Sequence, residues 1–156
     1  MGPTNLREWT ALSTTCPVSR EQTQAKLDLR SAAASRHKAS QTYCTAERFE
    51  EAVQKHGERS CLVYRDECYS YAQANARINQ TAHALRGLGV RCGDVVALCL
   101  ENRPAFIFAW LALSKLGATV AFLNTNVSGK PLAHALAATG ATRAIVGEEC
   151  LANFAA

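Results

Sequence analysis

The feature that most constrains the fold is an alternation of short apolar runs with helical segments after residue 94. Residues 95–100 form a continuous apolar run, which is typical of a strand buried on both faces of a parallel sheet. A second buried strand is predicted at 118–123 and a third strand at 142–147, with intervening helices at 104–117 and 131–139. This β-α-β-α-β order predicts an α/β protein with a mostly parallel, doubly wound sheet.

A hairpin flanked by helices is predicted before the sheet. Thr45 offers a cap for a short amphipathic helix that ends near Gly57, and strands follow at 60–65 and 68–70, joined by a turn at 66–67. A longer helix then begins with a capping box formed by Ser70 and Gln73 and ends at Gly87 and Gly89.

The apolar helix at 104–117 raises the question of a membrane span. About 14 residues rising ~1.5 Å each give roughly 21 Å, which is less than the ~30 Å hydrocarbon core of a bilayer. No transmembrane segment is therefore expected, and protein should cover this helix on two sides. A three-stranded sheet with such helices would leave open strand edges, so we expect an incomplete fold. Another helix is expected to open at 148–152.

Residues 1–40 differ from the rest of the chain. They are rich in Ser, Thr, Ala, Gln and Arg without a sustained apolar period, which predicts a flexible polar leader, with a transit peptide as the alternative. Because no apolar signal core is present, the expected location is intracellular, either cytoplasmic or peripheral on endomembranes. The net charge of +4 comes mostly from the leader, so nucleic-acid binding is not expected. The seven cysteines form no C-x-x-C pair, and most are expected to be small buried hydrophobes.

Six motifs in the second part of the chain, in their order, resemble the N-terminal portion of the adenylate-forming (AMP-binding) acyl-CoA synthetase superfamily. They are 69–73 (YSYAQ), 79–85 (NQTAHAL), 88–98 (LGVRCGDVVAL), 101–104 (ENRP), 110–118 (WLALSKLGA) and 123–126 (LNTN). The last motif, with 130–134 (KPLAH), is most similar to the branch of very-long-chain acyl-CoA synthetases and fatty acid transport proteins. The resemblance implies that residues 45–156 are a partial AMP-binding domain, truncated before the phosphate loop.

The resemblance also implies a reaction. In such enzymes a fatty acid carboxylate attacks the α-phosphate of ATP to give an acyl-adenylate, and the CoA thiol then displaces AMP to form a thioester. ATP, Mg²⁺ and CoA are the cofactors expected for an intact enzyme, whereas none is expected to bind this chain alone. The family places its catalytic motifs beyond residue 156, so no catalytic, cofactor-binding or metal-binding residue is assigned here.

The remaining candidates all have simpler explanations. Gly129 and Lys130 only superficially resemble a phosphate loop, and Gly87, Gly89 and Gly93 precede a strand instead of following one. Residues 124–126 follow a strand on the side where α/β sheets place ligands, but capping by asparagine explains them more simply. His83 and His134 lack partners at ligand spacing, and Glu101 is expected to support a turn at Arg103 and not to act as an acid.

Two functional hypotheses result. The first is an N-terminal fragment of a fatty acid–CoA ligase that is inactive alone and needs the remainder of its domain. The second is a truncated, non-catalytic module that binds a full-length relative or an acyl chain through an uncovered apolar face. The sequence gives neither acyl chain length nor oligomeric state.

Overall fold

The computed structural model describes residues 19–35 and 44–155, which belong to two compact units divided between Thr42 and Tyr43. In the first unit, helix α1 spans Arg20–Ala34 and has no buried residue. Ser19 caps α1 through a capping box with Gln22, a local helix signal in a segment whose composition and missing apolar period predicted a flexible leader. The flexibility of the leader and its boundary at residue 40 stay predictions.

The second unit opens with helix α2 (Thr45–His56) and a two-stranded antiparallel sheet of β1 (Ser60–Tyr64) and β2 (Glu67–Ser70). The hairpin turn lies one residue earlier than predicted, at Arg65 and Asp66. Arg65 adopts a φ of 51°, because a two-residue connection between twisted strands requires the left-handed region.

Helix α3 (Tyr71–Gly87) begins with the predicted capping box. The backbone N–H of Gln73 donates to Ser70 Oγ at 3.2 Å, and the backbone N–H of Ser70 donates to Gln73 Oε1 at 2.9 Å. After the C-cap residue Leu88, the chain turns through Gly89 with a φ of 90°. The predicted glycine turn at the end of this helix is confirmed.

The main sheet contains three parallel strands in the order β4-β3-β5. These are β3 (Val95–Cys99), β4 (Thr119–Phe122) and β5 (Arg143–Val146). The central strand β3 is buried along nearly its whole length, as predicted. The prediction that β4 is also buried on both faces is wrong, because Thr119 and Phe122 are exposed. Both β4 and β5 are edge strands in the part of the chain that the structure describes.

Helices cover both faces of this sheet. Helix α4 (Pro104–Lys115) connects β3 to β4 and contacts both of them, while helix α5 (Gly129–Thr139) connects β4 to β5 and contacts β3. Helix α5 begins two residues before the predicted start at Pro131. After β5, a 3₁₀ turn at Glu148–Cys150 leads into the short helix α6 (Leu151–Phe154), in place of the single helix predicted there.

The main core lies between α3, α4 and the sheet. Ile78 of α3 and Leu113 of α4 are completely buried, and burial of such a side chain contributes roughly 1.5–3 kcal/mol. Tyr69 extends this core to the hairpin, since its ring meets Phe108 edge-on at 5.3 Å. The prediction that protein covers the apolar helix α4 is confirmed, and no helix in residues 19–35 or 44–155 is long and apolar enough to span a bilayer.

A lysine joins three helices at one end of this core. Lys115 Nζ donates to Glu50 Oε1 at 2.5 Å, Asn75 Oδ1 at 2.9 Å and Asn79 Oδ1 at 2.9 Å. Its side chain is only 13% exposed, and the three donors of the ammonium group match the three acceptors. Lys115 therefore holds the end of α4 against α2 and α3.

The cysteines correct one prediction. Of the six cysteines that the structure describes, Cys99 and Cys150 are buried, Cys61 is half-buried, and Cys44, Cys68 and Cys92 are exposed, so the expected burial of most is wrong for these six, and Cys16 lies outside the described residues. The exposed ones lie at a helix cap, in the hairpin and in the turn before β3, where little protein covers the backbone. Burial raises the pKa of the Cys99 thiol to about 11, with a further contribution from the neighbouring Cys150 thiol.

Candidate functional site

The candidate site lies at the carboxyl end of the parallel sheet. This end consists of the three segments that follow the strands, residues 100–103, 123–126 and 147–149. Because β3, β4 and β5 run in the same direction, these three segments leave the sheet on one side. Open α/β sheets bind their ligands outside the carboxyl ends of the strands. The opposite side, the amino end of the sheet, consists of residues 88–94, 116–118 and 140–142.

An ion pair connects two of the three segments. Arg103 Nη2 lies 2.8 Å from Glu149 Oε2, and the backbone N–H of Glu101 donates to Glu149 Oε1 at 3.0 Å. The backbone N–H groups of Glu101 and of Glu149 itself, with the positive charge of Arg103, hold the pKa of the Glu149 carboxyl below its ordinary value. Glu149 is therefore an ionised clamp between the ends of β3 and β5.

The third segment is held by amide side chains. Asn124 Oδ1 accepts a hydrogen bond from the backbone N–H of Asn126 at 2.9 Å, which closes a turn directly after β4. Asn153 Nδ2 donates to the carbonyl oxygen of Thr125 at 2.7 Å, so α6 fixes the same turn. The asparagines thus have a structural role here, and a role in ligand binding stays a prediction.

A groove of mixed character runs between the first two segments. Its apolar lining residues are Leu100, Phe106, Phe122 and Leu123, and its polar ones are Glu101, Asn102, Asn124 and Thr125. The rings of Phe106 and Phe122 stack with their centroids 5.4 Å apart, and Phe122 is 52% exposed. Chemically, such a groove can hold an apolar group and offer amide hydrogen bonds to a polar one.

The arrangement offers little for catalysis by itself. In residues 19–35 and 44–155, no group of three or more His, Cys, Asp or Glu side chains could hold a metal ion. The Glu149 carboxylate is already occupied by two backbone N–H groups and a guanidinium. The Cys99 thiol, which ends β3, is buried and has a raised pKa, both of which make it a poor nucleophile.

The other candidates lie apart from one another. Gly129 and Lys130 begin α5 after β4, while Gly87, Gly89 and Gly93 lie before β3 at the other end of the sheet. His83 and His134 are exposed on α3 and α5. Glu101 donates its backbone N–H to Glu149 Oε1 at 3.0 Å, and its support of a turn at Arg103 stays a prediction.

Glu149 was expected only as part of a further helix, and its contacts with Glu101 and Arg103 were not predicted. The sequence contains a signal for this contact. Glu148 and Glu149 directly follow the predicted strand at 142–147, and Arg103 follows the predicted strand at 95–100. In a parallel sheet, residues that follow neighbouring strands converge at one end. Lys115 was missed in the same way, since its three acceptors lie in helices that are distant in sequence.

This fold and the motifs at the ends of its strands define the opening part of an adenylate-forming enzyme. Residues 49–155 match the family described as AMP-binding enzyme, and the chain belongs to that family. The human long-chain fatty acid transport protein 1 is 43% identical over 109 residues, which cover 69% of this chain and 17% of the relative.

Solved structures show the same fold. The N-terminal subdomain of Klebsiella oxytoca NpsA in complex with anthranilyl-AMSN superposes with a TM-score of 0.67 at 26% identity, covering 69% of this chain and 28% of that one. The anthranilate CoA ligase AuaEII in complex with anthranoyl-AMP gives a TM-score of 0.68 at 26% identity, covering 72% and 22%. The chain spans between 15% and 23% of the length of the first curated relatives it matches.

Proposed function

We propose that this chain forms the first strands and helices of an ATP-dependent ligase that joins long- or very-long-chain fatty acids to CoA. The observation that carries the proposal is the match of residues 49–155 to the AMP-binding family, on a fold that superposes with ligase and adenylation structures. The resemblance to long-chain fatty acid transport proteins supports a fatty acid as the acyl substrate.

In this proposal the chain contributes a scaffold and one wall of the site. Parallel strands β3 and β4 position the groove at the carboxyl end of the sheet, and the clamp between Arg103 and Glu149 connects the end of β3 to the end of β5. Chain segments outside these 156 residues would supply the phosphate loop, the Mg²⁺ carboxylate and the lysine that stabilises developing charge. ATP, Mg²⁺ and CoA would bind only to the completed domain.

The direct test is acyl-CoA formation from ATP, Mg²⁺, CoA and a radiolabelled fatty acid by the purified 156-residue chain. We expect no product, and no exchange of labelled pyrophosphate into ATP, because the chain lacks the groups that stabilise charge on the α-phosphate. The purified human long-chain fatty acid transport protein 1 is assayed alongside it. Turnover by the isolated chain would contradict the proposal.

A second function is favoured by a specific observation, the exposed Phe122 on the edge strand β4. The chain would then be a non-catalytic module that binds a full-length relative or an acyl chain at this strand and groove. Saturable capture of the purified full-length relative, lost in Phe122→Asp and retained in Val63→Asp, would favour the module. Val63 is a suitable control because it is similarly exposed on β1, outside the main sheet.

Location is a proposal of the same kind. We place the chain in the cytoplasm or peripherally on endomembranes, in keeping with the proposed role as part of a fatty acid–CoA ligase. Release of an endogenous membrane-bound fraction by alkaline carbonate would agree with peripheral attachment, whereas resistance to carbonate would contradict it.

A further inference from the structure

The turn between α3 and β3 carries an apolar side chain at its tip. Leu88, the C-cap residue of α3, is 76% exposed. The backbone there is fixed, since the N–H of Leu88 donates to the carbonyl of Ala84 at 3.0 Å and the N–H of Gly89 donates to that of Arg86 at 3.0 Å. A rigid turn therefore presents a leucine to solvent.

Three arginines, Arg86, Arg91 and Arg143, lie at or next to this turn. Arg86 precedes it on α3, and Arg91 Nη1 reaches back to the Arg86 carbonyl oxygen at 3.2 Å. Arg143 comes from the start of β5, and its Nη2 atom lies 3.5 Å from where a Cβ atom on Gly89 would sit. The guanidinium groups of Arg91 and Arg143 thus reach this turn from two distant parts of the chain, and Arg86 lines a pocket together with Arg91.

Acidic residues offset part of the positive charge here. Glu47 and Glu50 of α2 line a pocket together with Arg86, and Glu50 is paired with Lys115. Asp94 pairs with Arg143 at 3.0 Å and accepts from the backbone N–H of Arg91, so it compensates one arginine. Neither Arg86 nor Arg91 forms an ion pair with another residue between 44 and 155. His83, one helical turn before Arg86 on α3, is also exposed and adds no negative charge.

This surface lies at the amino end of the sheet, and the carboxyl end has the opposite charge balance. Glu101, Glu148 and Glu149 lie at the carboxyl end with one arginine, Arg103. A molecule resting on its amino end would therefore present its basic side to an anionic surface and keep its candidate site facing away.

We propose that the basic turn, consisting of Arg86, Leu88, Arg91 and Arg143, docks on the headgroups of an anionic phospholipid bilayer, with Leu88 entering the acyl boundary. Arginine side chains near an anionic lipid surface each strengthen binding roughly fivefold, and an adjacent apolar side chain adds to this by leaving water. The exposed leucine favours lipid over nucleic acid as the partner. The phosphates of either one can bind the arginines, but only a bilayer offers an apolar region in which the leucine side chain can be buried. This inference rests on the turn itself and does not depend on the proposed ligase function.

The test is cosedimentation of the purified 156-residue chain with sucrose-loaded vesicles. Vesicles of phosphatidylcholine alone are compared with vesicles in which about a third of the lipid is phosphatidylserine. We expect binding to the anionic vesicles only, weakening as salt is raised. Reversal of both unpaired arginines, in the variant Arg86→Glu/Arg91→Glu, should lower the partition coefficient by at least roughly 20-fold. Leu88→Asp should lower it several-fold.

Matched controls separate the surface from overall charge and hydrophobicity. The variant Arg65→Glu/Lys130→Glu makes the same change in net charge at the hairpin turn and at the start of α5, and it should bind at most a few-fold more weakly than the unmodified chain. Val63 is an apolar side chain on β1 that is 69% exposed, similar to Leu88. The variant Val63→Asp removes it and should bind the anionic vesicles as tightly as the unmodified chain. Circular dichroism confirms that each variant is folded, which is expected because all these positions are exposed.

Several outcomes would overturn the proposal. They are equal binding to neutral and anionic vesicles, no binding at low salt, or equal losses in the turn variants and their controls. Tighter binding to a DNA or RNA oligonucleotide than to the vesicles, with no effect of Leu88→Asp, would assign the arginines to nucleic acid instead.

Discussion

The two ends of the parallel sheet are built in different ways. At the amino end, short turns are closed by backbone hydrogen bonds, such as those from Gly93 N–H to the Gly117 carbonyl at 2.9 Å and from Thr119 N–H to the Asp94 carbonyl at 2.8 Å. At the carboxyl end, the Arg103–Glu149 ion pair and the side chains of Asn124 and Asn153 hold the segments together. Both ends have an ion pair, since Arg143 pairs with Asp94 at the amino end. The two ends differ in their turns, because positive-φ glycines shape the turns of the amino end and asparagine side chains hold the turn after β4 at the carboxyl end.

The largest loss of stability is expected at the amino end of the sheet, where Lys115 joins three helices. In Lys115→Met, the oxygens of Glu50, Asn75 and Asn79 lose their shared donor, so we expect the free energy of unfolding to fall by about 3 kcal/mol. Urea unfolding measures it. Glu50→Gln should cost less than about 1 kcal/mol, since Glu50 is 49% exposed and two other acceptors remain. Equal losses in both variants would contradict the assigned role of Lys115.

The second-largest loss of stability is expected when glycines in the turns of the amino end are replaced by alanine. Gly117 has a φ of 72°, and a Cβ atom there would lie 2.7 Å from Cys92 Sγ, so we expect Gly117→Ala to cost about 2–3 kcal/mol. Gly93 has a φ of 86° with open space around it, so Gly93→Ala should cost only the backbone strain of about 1–2 kcal/mol. In a Cys92→Ala background, the cost of Gly117→Ala should approach that of Gly93→Ala. Thermal or urea unfolding of these variants measures the stability losses. If Gly117→Ala costs as much in the Cys92→Ala background as in the unmodified chain, the contact with Cys92 Sγ does not contribute to the cost.

The stability that the carboxyl end contributes should depend on pH. The folded state lowers the pKa of Glu149 below its ordinary value of 4.5, so this group contributes stability above pH 4.5 that is lost as pH falls through the folded pKa. In Glu149→Gln the urea midpoint should therefore be lower near neutral pH and converge with that of the unmodified chain in acid. Glu148→Gln is the control, because Glu148 makes no ion pair with any residue from 44 to 155. Parallel curves for Glu149→Gln and the unmodified chain would refute the clamp.

The smallest effect is expected in the turn after β4. Asn124→Ala removes the acceptor for the Asn126 N–H and should cost about 0.5–1 kcal/mol, because both residues are exposed and water replaces the hydrogen bond. Asn126→Ala leaves that hydrogen bond in place and should be neutral. Hydrogen exchange of the Asn126 amide provides a local measure, and unchanged protection in Asn124→Ala would contradict the turn.

The comparison of the two ends also explains what the sequence could predict. The elements and the glycine turns were predictable, because capping boxes, apolar runs and positive-φ glycines act over a few residues, as Ser70 and Gly89 show. The clamp was not predictable from local patterns, since Arg103 and Glu149 are separated by 46 residues. Nor was the exposure of β4, because the position of a strand within a sheet depends on strand order and not on its own composition.

Helix α1 shows a different limit. Its capping box at Ser19 and Gln22 is a short-range signal, but with no buried residue the helix lacks the apolar period on which the analysis relied. Short-range capping signals therefore deserve the same weight as periodicity in polar segments.

The central claim is that residues 49–155 supply the opening part of a ligase domain. The most direct measurement is acyl-CoA formation by a chimera in which these residues replace the matching segment of the human long-chain fatty acid transport protein 1, compared with that protein unmodified. We predict that the chimera forms acyl-CoA at a rate comparable to its parent, and that Ile78→Asp in the buried core abolishes it while Arg77→Asp on the exposed face does not. A folded chimera that makes no acyl-CoA, beside a parent that does, would contradict the claim.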